Sequence, residues 1–271
     1  MSTLTASTRA LYRRFFVGTR WYRLNLFLHE LSLHGLGILN HENEKVSGED
    51  AALRRILAAT GAAQGTPVVL DVGANVGDFS RRVRAAAPSA RVFAFEPHPS
   101  IFPHTSAAAR AAGFEAIHAG CGDEPGRLTL YDYSDSRAGS QHASLYQAVI
   151  ERLHGGSATG HEVEIVTVDD FLRDRKIERV HLLKIDTEGH ESSVLRGAQR
   201  ALREGRIDFV QFEFNAMNLE SRTFFRDLVA LLPNYRLHRL LPDGWALLPY
   251  TPLTCELFAY QNIVAVREGI A

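Results

Sequence analysis

Cysteine is scarce in this chain of 271 residues: Cys121 and Cys255 are the only two, far apart, with no CxxC pair and no Cys/His cluster at zinc spacing. That argues against a disulfide framework and against a structural zinc site. An excess of one charge is also lacking, since 30 Lys and Arg stand against 31 Asp and Glu. Without a basic excess there is no global electrostatic reason for tight, salt-sensitive binding to a nucleic-acid backbone, and no nucleic-acid partner is expected. No apolar run reaches the roughly 18 residues that span a bilayer. The first ten residues lack the basic start, apolar core and small-residue cleavage site of a secretory signal, so a cytoplasmic location is expected. Neither an internal repeat nor a low-complexity run occurs. What is left is a globular composition, 45% hydrophobic and 23% charged, in a length that accommodates one or two domains.

Residues 1–48 read as an N-terminal helical extension, and residues 49–271 as the main domain. Residues 11–39 of the extension mix Arg13, Arg14, Arg20 and Arg23 with Phe15, Phe16, Trp21, Tyr22 and Phe27 at helical spacing. Such a basic amphipathic helix is expected to dock on the domain's own core; the alternative is peripheral contact with a membrane or a homo-oligomer. From residue 67 the pattern alternates. Apolar, β-branched strands at 67–72, 91–96, 114–119, 181–186 and 207–214 are separated by helix-length segments. This predicts an α/β fold, a doubly wound, mostly parallel Rossmann-like sheet with helices on both faces. Strand patterns at 235–241, 245–248 and 257–266 suggest an antiparallel C-terminal edge. An inserted β-rich lid is expected at 127–168, where residues 131–160 offer a polar and aromatic mixture that includes Tyr131, Asp135, Arg137, His142 and Ser144.

Chemistry collects at the predicted strand ends. Asp71-Val72-Gly73-Ala74-Asn75-Val76-Gly77 follows a strand and opens a helix, a place where glycines let a ligand approach the backbone. The spacing matches neither G-x-G-x-x-G nor the P-loop, so the turn suits a ligand without a phosphate chain. Glu96 ends the next strand, where an acidic side chain accepts hydrogen bonds from ribose hydroxyls, which implies an adenosine. Gly120-Cys121-Gly122-Asp123 ends the third, and Asp123 is a candidate acceptor for an adenine amino group. Asp-Glu-Pro-Gly is equally a good turn sequence.

These strand ends resemble the S-adenosylmethionine site of class I methyltransferases. The stretch Leu183-Lys184-Ile185-Asp186-Thr187-Glu188-Gly189-His190-Glu191, followed by Val194-Leu195-Arg196-Gly197-Ala198, is similar to the signature of the FkbM family of methyltransferases. So are Leu70 to Gly77 and Ser47-Gly48-Glu49, and the likeness runs from about Gly48 to Asn215. The resemblance implies an O-methyltransferase that uses S-adenosylmethionine and acts on a hydroxyl of a sugar or secondary metabolite. It places Glu49, Asp71, Gly73, Asn75, Gly77, Glu96, His98, Gly122, Asp123, Ser144 and Asp186 at the donor, with Asp186 against its methionine part.

A hydroxyl acceptor must lose a proton, so a positioned base is expected. His190, Glu188 and Glu213 are the catalytic candidates, His190 because its ordinary pKa lies nearest neutrality. Glu188 and Glu191 read also as an anionic cluster at a helix start that favours the helix dipole. Asp186, Glu188, Glu191 and Glu213 have the hard oxygens that a divalent cation takes. A metal-free site is the preferred reading, because carboxylates near a sulfonium already have an electrostatic role. Other classes remain open: an N-methyltransferase, an RNA or protein methyltransferase, or a non-catalytic adenosine-binding scaffold.

Overall fold

A computed structural model describes residues 3–61, 65–133, 143–153 and 155–270, with side chains from residue 6 onward. Asp135, Arg137 and His142 of the expected lid lie outside the described residues. The chain opens with two helices, α1 (Thr3–Phe16) and α2 (Tyr22–Gly35), where the periodicity predicts one. Gly18, the poorest helix former of the segment, falls in the break, and a single 3-10 turn at Thr19–Trp21 follows it. The helices touch each other: Asn25 donates to the Phe16 carbonyl at 2.9 Å, and the Phe16 and Trp21 rings lie 5.2 Å apart. No residue from 6 to 36 is buried. The expected docking on the domain's core is therefore not what this segment does. Contact with the body begins at buried Gly37, packed against Leu240 and Leu241, and at fully buried Ile38, which bridges Gln261.

Next come α3 (Glu49–Ala59), β1 (Val68–Val72), α4 (Asp78–Ala86), β2 (Arg91–Phe95), α5 (Phe102–Ala112) and β3 (Glu115–Ile117). Then follow β4 (Gly120–Cys121), β5 (Gly126–Tyr133), β6 (Ala158–Val166), α6 (Val168–Asp174) and β7 (Val180–Ile185). The chain continues through α7 (Glu191–Arg196), α8 (Gln199–Arg203), β8 (Ile207–Phe214), α9 (Met217–Glu220) and α10 (Phe225–Ala230). It closes with β9 (Tyr235–Leu241), β10 (Gly244–Leu247), α11 (Pro252–Cys255) and β11 (Gln261–Arg267).

Eight strands form the main sheet in the order β10-β9-β11-β8-β7-β1-β2-β3. The stretch from β8 to β3 is parallel, while β11 runs antiparallel between β8 and β9. This is the α/β, doubly wound arrangement expected, and its order reverses between β1 and β7. A crevice opens at such a switch point, outside the carboxyl ends of the strands.

Side chains alternate across the sheet. Leu70, Val72, Leu183, Ile185 and Phe212 pack with Leu172, Val194, Leu195 and Leu228 on the face covered by α6, α7 and α10. Val69, Leu182 and Phe209 pack with Leu53, Ile56, Phe79 and Val83 on the face covered by α3 and α4. Burial on both faces explains why β2 reads as an unbroken apolar run from Val92 to Phe95.

One strand departs from expectation. Main-sheet pairing ends at Ile117, and Gly120–Cys121 instead pairs with β6 in a second, three-stranded sheet, β4-β6-β5. Tyr133 and Ala158 end the antiparallel β5–β6 ladder, which rises from the switch-point side of the domain.

Candidate functional site

A cavity of about 770 Å³ lies at the carboxyl ends of β1, β2, β7 and β8. Nine of the residues singled out by sequence line it: Glu49, Gly73, Asn75, Glu96, His98, Asp186, Glu188, His190 and Glu213. Asp71, Gly77, Gly122, Asp123 and Ser144 do not.

The turn after β1 is pinned from two sides. The amides of Gly73 and Ala74 both donate to the Phe95 carbonyl, at 3.0 and 2.9 Å, and Asn75 N–H donates to Glu96 Oε2 at 2.8 Å. Gly73 has φ +82, and a Cβ on it would run into the Asp186 carbonyl, so no other residue fits there. Asn75 takes the left-handed conformation without being glycine, and its side-chain oxygen accepts from Val76 N–H at 2.7 Å. Glu96 accepts a second backbone bond from His98 N–H at 2.8 Å. Burial nonetheless pushes its carboxyl up to about 7, against the pull of those two amides.

A polar row crosses the α3/α4 face of the sheet below the cavity. Asp71 stands opposite Lys184 in register, and Lys184 stands opposite Gln211. Lys184 Nζ is 2.9 Å from Asp186 Oδ2 and 3.9 Å from Asp71 Oδ1. Burial pulls this ammonium down, but the carboxylates of Asp186, Asp71 and Glu49 together hold it above its ordinary value, so it stays charged. Asp71 also accepts from Ser80 Oγ at 2.7 Å, and is a supporting group beneath the turn rather than a lining one. Gln211 Nε2 donates at 3.0 Å to Glu49 Oε1, while Arg82 pairs with Glu49 at 3.2 Å and with Asp50 at 3.0 Å.

The loop after β7 is built around Glu191. Its Oε1 accepts from Thr187 N–H, Thr187 Oγ1 and Gly189 N–H, and its Oε2 accepts from Asn218 Nδ2, all at 3.1–3.2 Å. Glu191 is thus committed to holding the loop. Glu188 and Gly189 both take positive φ, and Ser144 Oγ donates to the Glu188 carbonyl at 2.8 Å. Among the described residues no group of three His, Cys, Asp or Glu side chains is placed to share a metal ion.

His190 is buried, with Nε2 lacking any hydrogen-bond partner and Nδ1 3.4 Å from the Tyr146 hydroxyl. Burial pushes its pKa down to about 4, so the ring is neutral at physiological pH. Glu213 shows the opposite behaviour. Burial, then the neighbouring Asp186 and Glu188, hold its carboxyl well above the ordinary range, and Asn215 Nδ2 lies 3.5 Å from its Oε2.

His98 is fixed by three contacts: Nε2 at 3.0 Å from Asp132 Oδ2, Nδ1 accepting from Ser100 N–H at 3.1 Å, and the His161 ring 4.9 Å away. It therefore ties the end of β2 to the β5–β6 sheet, from which Leu130 and Ile165 also reach the cavity. Asp123 is half-exposed outside the cavity, 3.6 Å from the Arg196 guanidinium. Its displacement follows from the early end of β3. Gly77 is the left-handed residue just before α4, Gly122 lies against the His190 ring, and Ser144 holds the loop from behind.

Lys184, Arg82 and Tyr260 line the cavity without having been singled out. Lys184 was legible as a lone cation inside an otherwise apolar strand. Tyr260 carries no local signal; β11 returns it from the far end of the chain.

A doubly wound sheet, switched at β1/β7 with an antiparallel return at β11 and a glycine turn under an acidic strand end, defines a class I methyltransferase. The chain belongs to the methyltransferase FkbM domain family, which it matches over residues 71–238. It is 30% identical over 198 residues to the 2-O-methyltransferase NoeI of Sinorhizobium fredii, covering 66% of this chain and 76% of that protein. It is 33% identical over 157 residues to the 31-O-demethyl-FK506 methyltransferase FkbM of Streptomyces tacrolimicus, covering 49% and 60%. The hexuronic acid methyltransferase AglP of Haloferax volcanii is 28% identical over 171 residues, covering 62% and 63%.

Proposed function

We propose that this protein transfers a methyl group from S-adenosylmethionine to a hydroxyl of a small molecule or glycan. The observation that carries the reading is one cavity in which the Gly73 turn, Glu96, Asp186 and the half-buried Glu213 converge. The donor fits its walls. The volume lies in the range of small-molecule sites, and the carboxylates of Glu44, Glu49, Asp78, Asp186 and Glu188 against Arg82 and Lys184 suit a cationic ligand. The unpartnered Nε2 of buried His190 offers a ligand contact. Three relatives named for methyl transfer, two of them to oxygen, support a hydroxyl acceptor.

In this reading Glu96 binds the ribose hydroxyls with the lone pairs that its two backbone bonds leave free. Gly73 gives backbone access, Asp186 faces the donor's amino group, and Lys184 holds Asp186 in place. Bound S-adenosylmethionine supplies the methyl as an electrophilic sulfonium. Glu213 takes the acceptor's proton at Oε1, since its Oε2 faces Asn215; its raised pKa brings it nearer the operating pH than an ordinary carboxylate. His190 positions a ligand through Nε2, being too weak a base at about 4 to compete with Glu213. The remaining work is to hold acceptor oxygen and donor carbon at near-attack distance. Calorimetric titration with S-adenosylmethionine, S-adenosylhomocysteine and NAD, with and without EDTA, tests the donor. Selective binding of the first two is expected; preference for NAD, or no binding, removes the reading.

A further inference from the structure

Helices α1 and α2 are the part of the molecule that the cavity does not use. Of the nineteen exposed large hydrophobic residues among those described, twelve fall between Leu11 and Leu36. Clusters of that density mark an interaction surface. Of the chain's 30 basic and 31 acidic residues, five arginines and a single acid, Glu30, lie in residues 1–36, so the remainder of the chain is left acidic. Charge on this segment is therefore segregated.

We infer that the α1–α2 segment docks on an anionic lipid surface, lying along it rather than crossing it. Among the described residues no helix is long and apolar enough to cross a membrane. Arginines stand beside rings along the chain, as Arg13-Arg14-Phe15-Phe16 and as Arg20-Trp21-Tyr22-Arg23. The Arg20 guanidinium lies 4.7 Å over the Trp21 ring, and that of Arg14 lies 5.8 Å from the Phe15 ring. A dimer built on these helices would strip water from the arginines beside each ring. At a lipid surface the rings sit at headgroup depth while the guanidinium groups reach phosphate oxygens. Trp and Tyr at positions 21 and 22 are the residue types that favour that depth. The partner is thus identified by its chemistry: a surface of acidic phospholipid headgroups above acyl chains.

The test uses the full chain in flotation with phosphatidylglycerol/phosphatidylcholine vesicles and with phosphatidylcholine alone, alongside light scattering. Binding to the anionic vesicles is expected, weakened by added salt and by about fivefold for each arginine removed. The variant Arg13→Gln/Arg14→Gln/Arg20→Gln/Arg23→Gln should therefore lose the bulk of its binding while its circular dichroism is unchanged. As a second probe, Trp245→Phe leaves Trp21 as the sole tryptophan, whose emission should shift to the blue on the anionic vesicles. No flotation with either vesicle, equal flotation with both, or a stable dimer that Phe15→Ser/Phe27→Ser dissolves would each overturn the proposal.

Discussion

The two loops around the cavity and the two helices at the N-terminus are opposite solutions to the same accounting of polar and apolar groups. In the loops nearly every polar atom has a partner: one carboxylate, Glu191, accepts from four donors, and Glu96 holds two backbone amides. In the helices the rings lie against one another and neighbouring arginines, and no residue from 6 to 36 is buried. The first arrangement is rigid on its own; the second gains its stability from whatever it meets. Chemistry that requires near-attack geometry belongs on the former. Attachment, which tolerates loose geometry, belongs on the latter.

The sharpest way to break this contrast is Gly73→Ala. The added Cβ meets the Asp186 carbonyl at a backbone conformation that side chains avoid, so a loss of about 3 kcal/mol or more is expected in denaturant melts, with donor binding abolished. A melt shifted by less than about 1 kcal/mol would mean that the two loops are not mutually fixed. Next in size is Glu213→Gln, which should lower kcat by about 10²–10⁴-fold with donor affinity intact. Loss of donor affinity instead of rate would reassign Glu213 to binding.

Glu96→Ala should weaken S-adenosylmethionine by about 1–3 kcal/mol in calorimetry. With a carboxyl raised to about 7, the wild type should bind the donor more tightly as pH rises through 7, and Glu96→Gln should abolish that slope. The sign for stability is the reverse of a salt-bridged carboxylate. The folded state holds the proton more tightly than the unfolded chain, so this group's contribution declines as pH rises from about 4.5 to about 7. The smallest effect comes from the other region. Removing residues 1–35, and stopping short of buried Ile38, should move stability by no more than about 0.5 kcal/mol. A large drop in melting temperature would show that the N-terminal helices do support the body.

The strand ends were legible in sequence because a buried parallel sheet writes itself as short apolar runs, each closed by its functional residue. Asp71, Glu96, Asp186 and Glu213 all stand at such closures. Asp123 was misplaced for a local reason: residues 114–119 read as one strand, whereas pairing stops at Ile117 and Gly120–Cys121 pairs in another sheet. Tyr260 and the Gln211–Glu49 bond depend on elements far apart in sequence, and no window contains them. The N-terminal segment misled in a third way. Its periodicity correctly gave helices, but amphipathicity states only that a face seeks cover, not that the cover lies in the same molecule.

Gly73 and Asp186 also bear on how this cavity is to be remade. Because the backbone of one loop occupies the space that a side chain on the other would need, the two loops are a single cast in two pieces. Chimeras that import a relative's β1 turn without its β7 loop should inherit a collision, whereas exchanging both together keeps the mould. The exchangeable part for redesign is the pair, 71–77 with 184–191.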